Sequence, residues 1–256
     1  MVFMIYAILL VILIILLNIC YRLIKINKYM RNLVFQNALI TKYCLVRDVV
    51  FYVPYAPEDF IQRRICLYQH FYEEEELNEI KHYIPENAVI LDIEANIGNH
   101  SLYWASKCRV NKIYAFEPVP ETFNILRKNV ENNFPEKIKI LNIGLSDVSS
   151  HAAIKNFGHE NIGATVIEKS ENGLLQVDKL DNLSIEEEHI DFVKIDVEGH
   201  EIFTLRGGVE TLKKHKPVVF IEMWHDNFKQ GHKILTNLGY KLKKQTSKDN
   251  YLYIHE

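Results

Sequence analysis

Paired cysteines are missing from this chain. Its four, Cys20, Cys44, Cys66 and Cys108, are scattered through 256 residues without a C-x-x-C spacing. That excludes the usual zinc and dithiol arrangements and a disulfide framework. Three of the four sit among apolar or aromatic neighbours, as packing thiols do, which suits a reducing compartment. Glycine (10) and proline (7) are too few for a collagen-like, linker-rich or disordered chain. Positive charge is not in excess either: 30 Lys and Arg against 33 Asp and Glu leave a net −3. Without clustered cations the chain is not a general polyanion binder, and no nucleic-acid partner is expected. The G-x-G-x-x-G loop that seats a pyrophosphate is absent too, which favours a nucleoside ligand without a diphosphate over NAD or FAD.

What the chain has in abundance comes first. Val2 to Leu17 carries no charge, and Ile19 and Cys20 prolong the run. Some 18–20 such residues, at about 1.5 Å each, match roughly 30 Å of hydrocarbon. Tyr21, Arg22, Lys25, Lys28, Tyr29 and Arg31 follow, an aromatic and cationic cluster of the cytoplasmic-interface kind. The pattern predicts an uncleaved single-pass transmembrane anchor over 1–21, a membrane contact through 2–20, and the remainder facing the cytoplasm. A signal peptide would need its basic region before the run and a small-x-small site after it. Residues 22–69 read as a juxtamembrane stalk and N-terminal extension. They hold a strand or two in Val46–Val53, stopped by Pro54 and Pro57. Gln69–Tyr83 reads as a helix with Phe71, Leu77, Ile80 and Tyr83 at helical spacing. Its acidic run Glu73–Glu76 reads as a solvated face, because consecutive helical residues point in different directions.

From Pro85 onward strands and helices alternate. Strands are expected at 88–93, 112–116, 137–143, 190–195 and 217–223, helices at 99–108, 120–132 and 201–214, and a closing hairpin at 240–243 and 251–255. That rhythm predicts a doubly wound, mostly parallel seven-stranded α/β sheet within a domain at 70–256. Residues 148–175 read as an irregular segment and the expected lid. In such sheets ligands bind beyond the carboxyl ends of the strands. Polar residues stand at those positions: Asp92, Glu94, Asn96, Gly98 and Asn99; Glu117 before Pro118; Ser146 and Asp147; Asp196, Glu198 and His200; Glu222 and His225. Glu117 ends the second strand, where a carboxylate can accept two hydrogen bonds from ribose hydroxyls; the alternative is a cap before Pro118. The loop ending in Gly98-Asn99 aims backbone N–H groups at a ligand.

AVILDIEANIGNHSLYWAS, KIYAFEPVPETFNILRKNVENN, KIKILNIGLSD and IDFVKIDVEGHEIFTLRGG resemble the FkbM-type methyltransferases over roughly residues 70–225. The resemblance implies a class I, Rossmann-like methyltransferase fold and S-adenosyl-L-methionine as cofactor. It also implies O-methylation of a sugar or another hydroxylated small molecule, to which the expected anchor adds a lipid-linked glycan. On that basis Asp92, Asn96 and Gly98 would line the methionine part, with Glu94 and Asn99 beside them. Glu117 and Pro118 would hold the ribose, and Ser146 and Asp147 the adenine. Asp196 would face the transferring methyl, and Glu198, His200 and Glu222 would lie near the acceptor. The base would come from Asp196, Glu198, His200 or His225. A divalent cation held by the same cluster is an alternative without a visible ligand spacing, so no metal ligand is assigned. One residue departs from the family's D-x-G-A-N-x-G: Glu94 stands at its first glycine. That residue could obstruct the site, leaving a binding or scaffold protein, or could face the cationic part of the cofactor. A nicotinamide-dependent oxidoreductase on a similar sheet is the further alternative.

Overall fold

The computed structural model describes residues 2–156, 162, 165–170 and 172–255. The chain opens with a single helix, α1 (Val2–Thr41). Among the described residues no helix is long and apolar enough to cross a membrane. That overturns the expected anchor over 1–21, the membrane contact through 2–20 and the single-pass localisation. Among the described side chains of α1 the apolar ones extend from Leu9 to Cys20. From Arg22 on, the helix carries Lys25, Lys28 and Arg31 as well. The side chains at 2–8 and 11, and residue 1, lie outside the described residues.

After α1, strands β1 (Tyr43–Val46) and β2 (Val49–Tyr52) form an antiparallel hairpin, followed by helix α2 (Phe60–Tyr68). Asp59 caps α2 by accepting the Gln62 N–H at 2.8 Å. Residues 43–68, expected as a stalk, pack into the main core: Val46, Phe51, Ile65 and Cys66 are buried with Phe71 and Tyr103. Phe51 meets Phe71 edge-on at 5.7 Å, and Phe71 meets Tyr103 the same way at 5.3 Å. The helix expected over 69–83 is shorter, α3 (Glu74–Ile80), because Gln69 (φ 53°) and Glu73 (φ 57°) both adopt the left-handed conformation and break the run.

The alternating part follows: β3 (Ala88–Ile93), α4 (Asn99–Lys107), β4 (Val110–Phe116), α5 (Pro120–Glu131) and β5 (Ile138–Leu141). Next come four short strands, β6 (Gly144–Leu145), β7 (Ser150–Asn156), β8 (Val166–Lys169) and β9 (Leu175–Asp178), which form a small separate sheet. Part of the segment expected to be irregular is therefore strand. Its own buried cluster is only Ala152, Leu175 and Val177, so its hydrophobic alternation is faint in the sequence. The chain then returns through β10 (Phe192–Ile195), α6 (Glu201–Gly207), α7 (Val209–His215), β11 (Val218–Glu222), α8 (His225–Asn237), β12 (Tyr240–Gln245) and β13 (Asn250–His255). The helix expected over 201–214 is two, divided at Gly208.

The large sheet has seven strands in the order β12-β13-β11-β10-β3-β4-β5. Six of its strands run the same way, and β13 alone, set between β11 and β12, is antiparallel to both neighbours. This is the expected Rossmann-like, doubly wound α/β sheet. All six residues of β3 are buried, as a strand covered on both faces requires. The strand order reverses between β3 and β10, and there the candidate site lies.

Candidate active site

Register sets the site. Ile93 pairs with Phe116 on one side and with Ile195 on the other, and Ile195 pairs with Ile221. The next residue of each strand is Glu94, Glu117, Asp196 and Glu222, so four carboxylates leave the sheet at one level. A cavity of about 230 Å³ opens above them, walled also by Asn96 and Glu198. One residue lower, Lys194 on β10 pairs with Asp92 on β3. Both are fully buried. The Lys194 ammonium lies 3.4 Å from Asp92 Oδ1 and 3.4 Å from Asp196 Oδ2, and donates to the Glu94 carbonyl at 2.9 Å. Burial alone would lower its pKa, but Asp196, Asp92 and Glu94 outweigh burial and hold it above the ordinary lysine value. Asp92 accepts a second bond, from Ser101 Oγ at 2.6 Å.

The turn after β3 is left-handed three times: Glu94 (φ 60°), Asn96 (φ 52°) and Gly98 (φ 91°). At Gly98 a Cβ would also stand 2.8 Å from Leu126 Cδ1. This folding turns the Asn96 N–H onto Glu117 Oε2 (3.0 Å), while the Val119 N–H donates to Oε1 (2.9 Å). Burial pushes Glu117 up to about 7 against those two bonds. Asn99, next to Gly98, grips the Tyr72 backbone in both directions, its Oδ1 accepting the N–H and its Nδ2 donating to the carbonyl, each at 2.9 Å. Asn96 Oδ1 is buried with no partner.

The other carboxylates are raised too. Burial, then Asp196, lifts Glu198 to about 7; burial, then Asp196, Glu198 and Glu73, lifts Glu222 to about 8. Glu94 is held well above its ordinary value by burial, Glu117 and Asp196. One cation, Lys194, serves this whole group, so like-charge crowding is the dominant feature of the cavity.

A second, narrower slot lies beside the cavity, walled by Phe116, Pro118, Ile143, Leu145, Val197 and His200, and Glu94 borders both. His200, expected near the acceptor with Glu198 and Glu222, stands at this slot instead. The left-handed Glu198 and Gly199 turn the chain away from the cavity before α6 begins. Its Nε2 is 3.0 Å from Ser146 Oγ, its ring stacks on Phe203 at 4.7 Å, and burial lowers its pKa. Ser146 is thus engaged by His200, while Ser146 and Asp147 are outside the slot lining, which Gly144 and Leu145 supply. His225 is almost fully exposed and away from the cavity. Among the described residues no three His, Cys, Asp or Glu converge to hold a metal.

Lys194, Tyr72 and Glu73 are among the cavity residues that escape sequence reasoning. Lys194 has a signal, a lone charge inside the apolar strand IDFVKI, where a buried ammonium needs partners. Tyr72 and Glu73 have none, because their approach to α4 depends on the Asn99 clamp; Glu73 there lies 3.6 Å from His100.

A family model described as the methyltransferase FkbM domain matches residues 92–242. Methyltransferase sdnD of Sordaria araneosa is 30% identical over 176 residues, covering 55% of this chain and 68% of that protein. The hexuronic acid methyltransferase AglP of Haloferax volcanii is 32% identical over 133 residues, covering 50% of this chain and 53% of its own length. The crystal structure of an FkbM methyltransferase from Methylobacillus flagellatus superposes with a TM-score of 0.45 at 17% identity, covering 78% of this chain and 56% of that one. The chain thus spans only about half the length of the last two.

The left-handed turn yields a stability test. A side chain at φ 60° costs roughly 1–2 kcal/mol that glycine does not incur. Glu94→Gly is therefore expected to be more stable than Glu94→Ala by about 1 kcal/mol in urea unfolding. Equal stabilities would show that the turn relaxes once the carboxylate is gone.

Proposed function

The chain belongs to the FkbM family of S-adenosylmethionine-dependent methyltransferases, and from that premise we propose that it methylates a hydroxyl of a sugar or another hydroxylated small molecule. The observation that carries this is the row of raised carboxylates at the switch point, open to one cavity. The lipid-linked form of that acceptor rested on the anchor alone and is not part of this proposal.

The residues fit the cofactor. Asn96 Oδ1 is an unengaged buried acceptor, and the surrounding carboxylates suit the cationic ammonium and sulfonium. Glu117 keeps acceptor capacity for ribose hydroxyls beyond its two backbone bonds. The apolar walls at Pro118 and Leu145, with His200 at their edge, suit the faces of a flat base, but the slot between them is about 10 Å³ and must widen to take one. When bound, S-adenosylmethionine supplies a methyl group open to in-line displacement. The protein's own share is orientation and a proton acceptor. Asp196 is tethered to Lys194, whereas Glu222 and Glu198 face the cavity with no cation of their own. Raised toward neutrality, they suit the role of base: once deprotonated, Glu222 accepts the hydroxyl proton, with Glu198 sharing the charge.

The sign of the pH dependence follows. The base works as the carboxylate, so kcat is expected to rise with pH through about 7–8. General-base catalysis contributes roughly 10²–10⁴-fold, so Glu222→Gln is expected to lose at least a hundredfold in kcat and to flatten that rise. A Glu222→Gln profile that still climbs through 8 would move the base elsewhere.

Glu117→Ala is expected to weaken S-adenosylhomocysteine binding roughly ten- to hundredfold, since charge-assisted bonds are worth about 1.5–3 kcal/mol. Calorimetry on the folded variant checks it, and an unchanged Kd would leave Glu117 with its bonds to Asn96 and Val119 alone.

A second reading is favoured by one observation: Glu94 borders both the cavity and the slot, where it could divide them and leave a non-catalytic binding protein. Tighter S-adenosylmethionine binding by Glu94→Gly than by the natural chain would support that reading over catalysis.

A further inference from the structure

Beside the catalytic cavity lies a wider groove of about 380 Å³ that includes Arg64, Tyr68 and His70. Tyr72 and Glu73 belong to the walls of both spaces, so the groove adjoins the cavity. The Arg64 guanidinium is centred over three rings, at 5.2 Å from Phe60, 5.6 Å from Tyr68 and 6.0 Å from Tyr72. A second guanidinium, Arg31 on α1, lies 5.7 Å from the Tyr68 ring. Cation–π contacts of this kind occupy the faces of a guanidinium and leave its edge N–H donors unused. Arg64 forms no ion pair among the described residues, although three acids border the groove. Glu74 is taken by Arg47 and by His70 Nδ1 (3.0 Å), and Glu73 lies against His100, which leaves Glu75 as the uncommitted acid there.

Charge is therefore divided along the path. The inner cavity carries carboxylates and repels an anion; the outer groove offers the Arg64 guanidinium, held in place by aromatic rings, with Glu75 as the uncommitted acid beside it. We propose that the groove is an acceptor subsite for an oxyanion, a phosphate or carboxylate group on the sugar, bound by Arg64 while the neutral hydroxyl end enters the cavity. Arginine's planar fork matches both groups bidentately. Its fixation on the rings before binding reduces the ordering cost. The inference rests on the methyltransferase reading in one respect, that the cavity is where the acceptor hydroxyl goes.

The test is calorimetry on the full chain saturated with S-adenosylhomocysteine, titrated with glucose, glucose 1-phosphate and glucuronate. At least one anionic sugar is expected to bind ten times more tightly than glucose, and the phosphate and carboxylate arms show which oxyanion is preferred. Arg64→Gln is expected to abolish that preference and Arg64→Lys to keep part of it, while S-adenosylhomocysteine affinity is unchanged in both. Equal binding of the three sugars, no binding of either anionic one, or an undiminished preference in Arg64→Gln would overturn the subsite. Failure of the natural chain to bind S-adenosylhomocysteine, with the anionic preference intact, would instead strike the methyltransferase reading alone.

Discussion

One buried ammonium organises the centre of this molecule. Lys194 is almost wholly buried under the cavity, and a lone buried charge would cost several kcal/mol. Two carboxylates and two carbonyls surround it: Asp92, Asp196, and the backbone oxygens of Ile93 and Glu94. Each tie has a consequence. Asp92 is held beneath the cavity floor, Asp196 is drawn to the end of its strand, and the Glu94 carbonyl is fixed at the start of the left-handed turn. That turn in turn aims the Asn96 N–H at Glu117. The geometry of the ligand-facing residues thus leads back to one residue that contributes no wall contact more reactive than its charge.

The sheet converts this local arrangement into a site. Parallel neighbours with matched register end flush, so the residues that follow the paired rung Phe116, Ile93, Ile195 and Ile221 land on a common rim. Glu94, Glu117, Asp196 and Glu222 are neighbours for that reason, though 128 positions of sequence separate the first from the last. At the same rim the chain order reverses between β3 and β10, which leaves the space above unfilled by crossover helices.

What the sequence made legible follows the same logic. Strands such as Ala88–Ile93 read plainly because a strand buried on both faces is an unbroken apolar run, and the carboxylates just past them stand out by contrast. The hairpin and α2 read only as part of a stalk and N-terminal extension because their apolar residues are short runs whose burial depends on contact with Phe71 and Tyr103, distant in the sequence. Glu73–Glu76 read as one solvated face, yet Glu74 is buried against Arg47 and Glu76 accepts from Asn250 at 2.9 Å. A charge run gives no hint of which members meet a partner. His200 had the right chemistry for a base, but two left-handed residues redirected it to the slot, and backbone handedness at Glu198 is invisible in composition.

The carboxylate-rich cavity also has a thermodynamic consequence. Glu117, Glu198 and Glu222 hold protons more tightly when folded than as free carboxyls, with values of about 7, 7 and 8. The folded state therefore binds more protons than the unfolded one above the ordinary carboxylate range, and stability falls as pH rises through that window. A cation entering the cavity reverses this, because it favours the ionised carboxylates and displaces their protons. Crowded carboxylates that burden the empty protein are thus complementary to a cationic ligand, and the cost of keeping them together is recovered when one arrives. Arg64 in the outer groove carries the opposite sign, so a path from groove to cavity passes a guanidinium before it reaches the carboxylates. A ligand set with a cationic cofactor inside and an anionic group outside satisfies both.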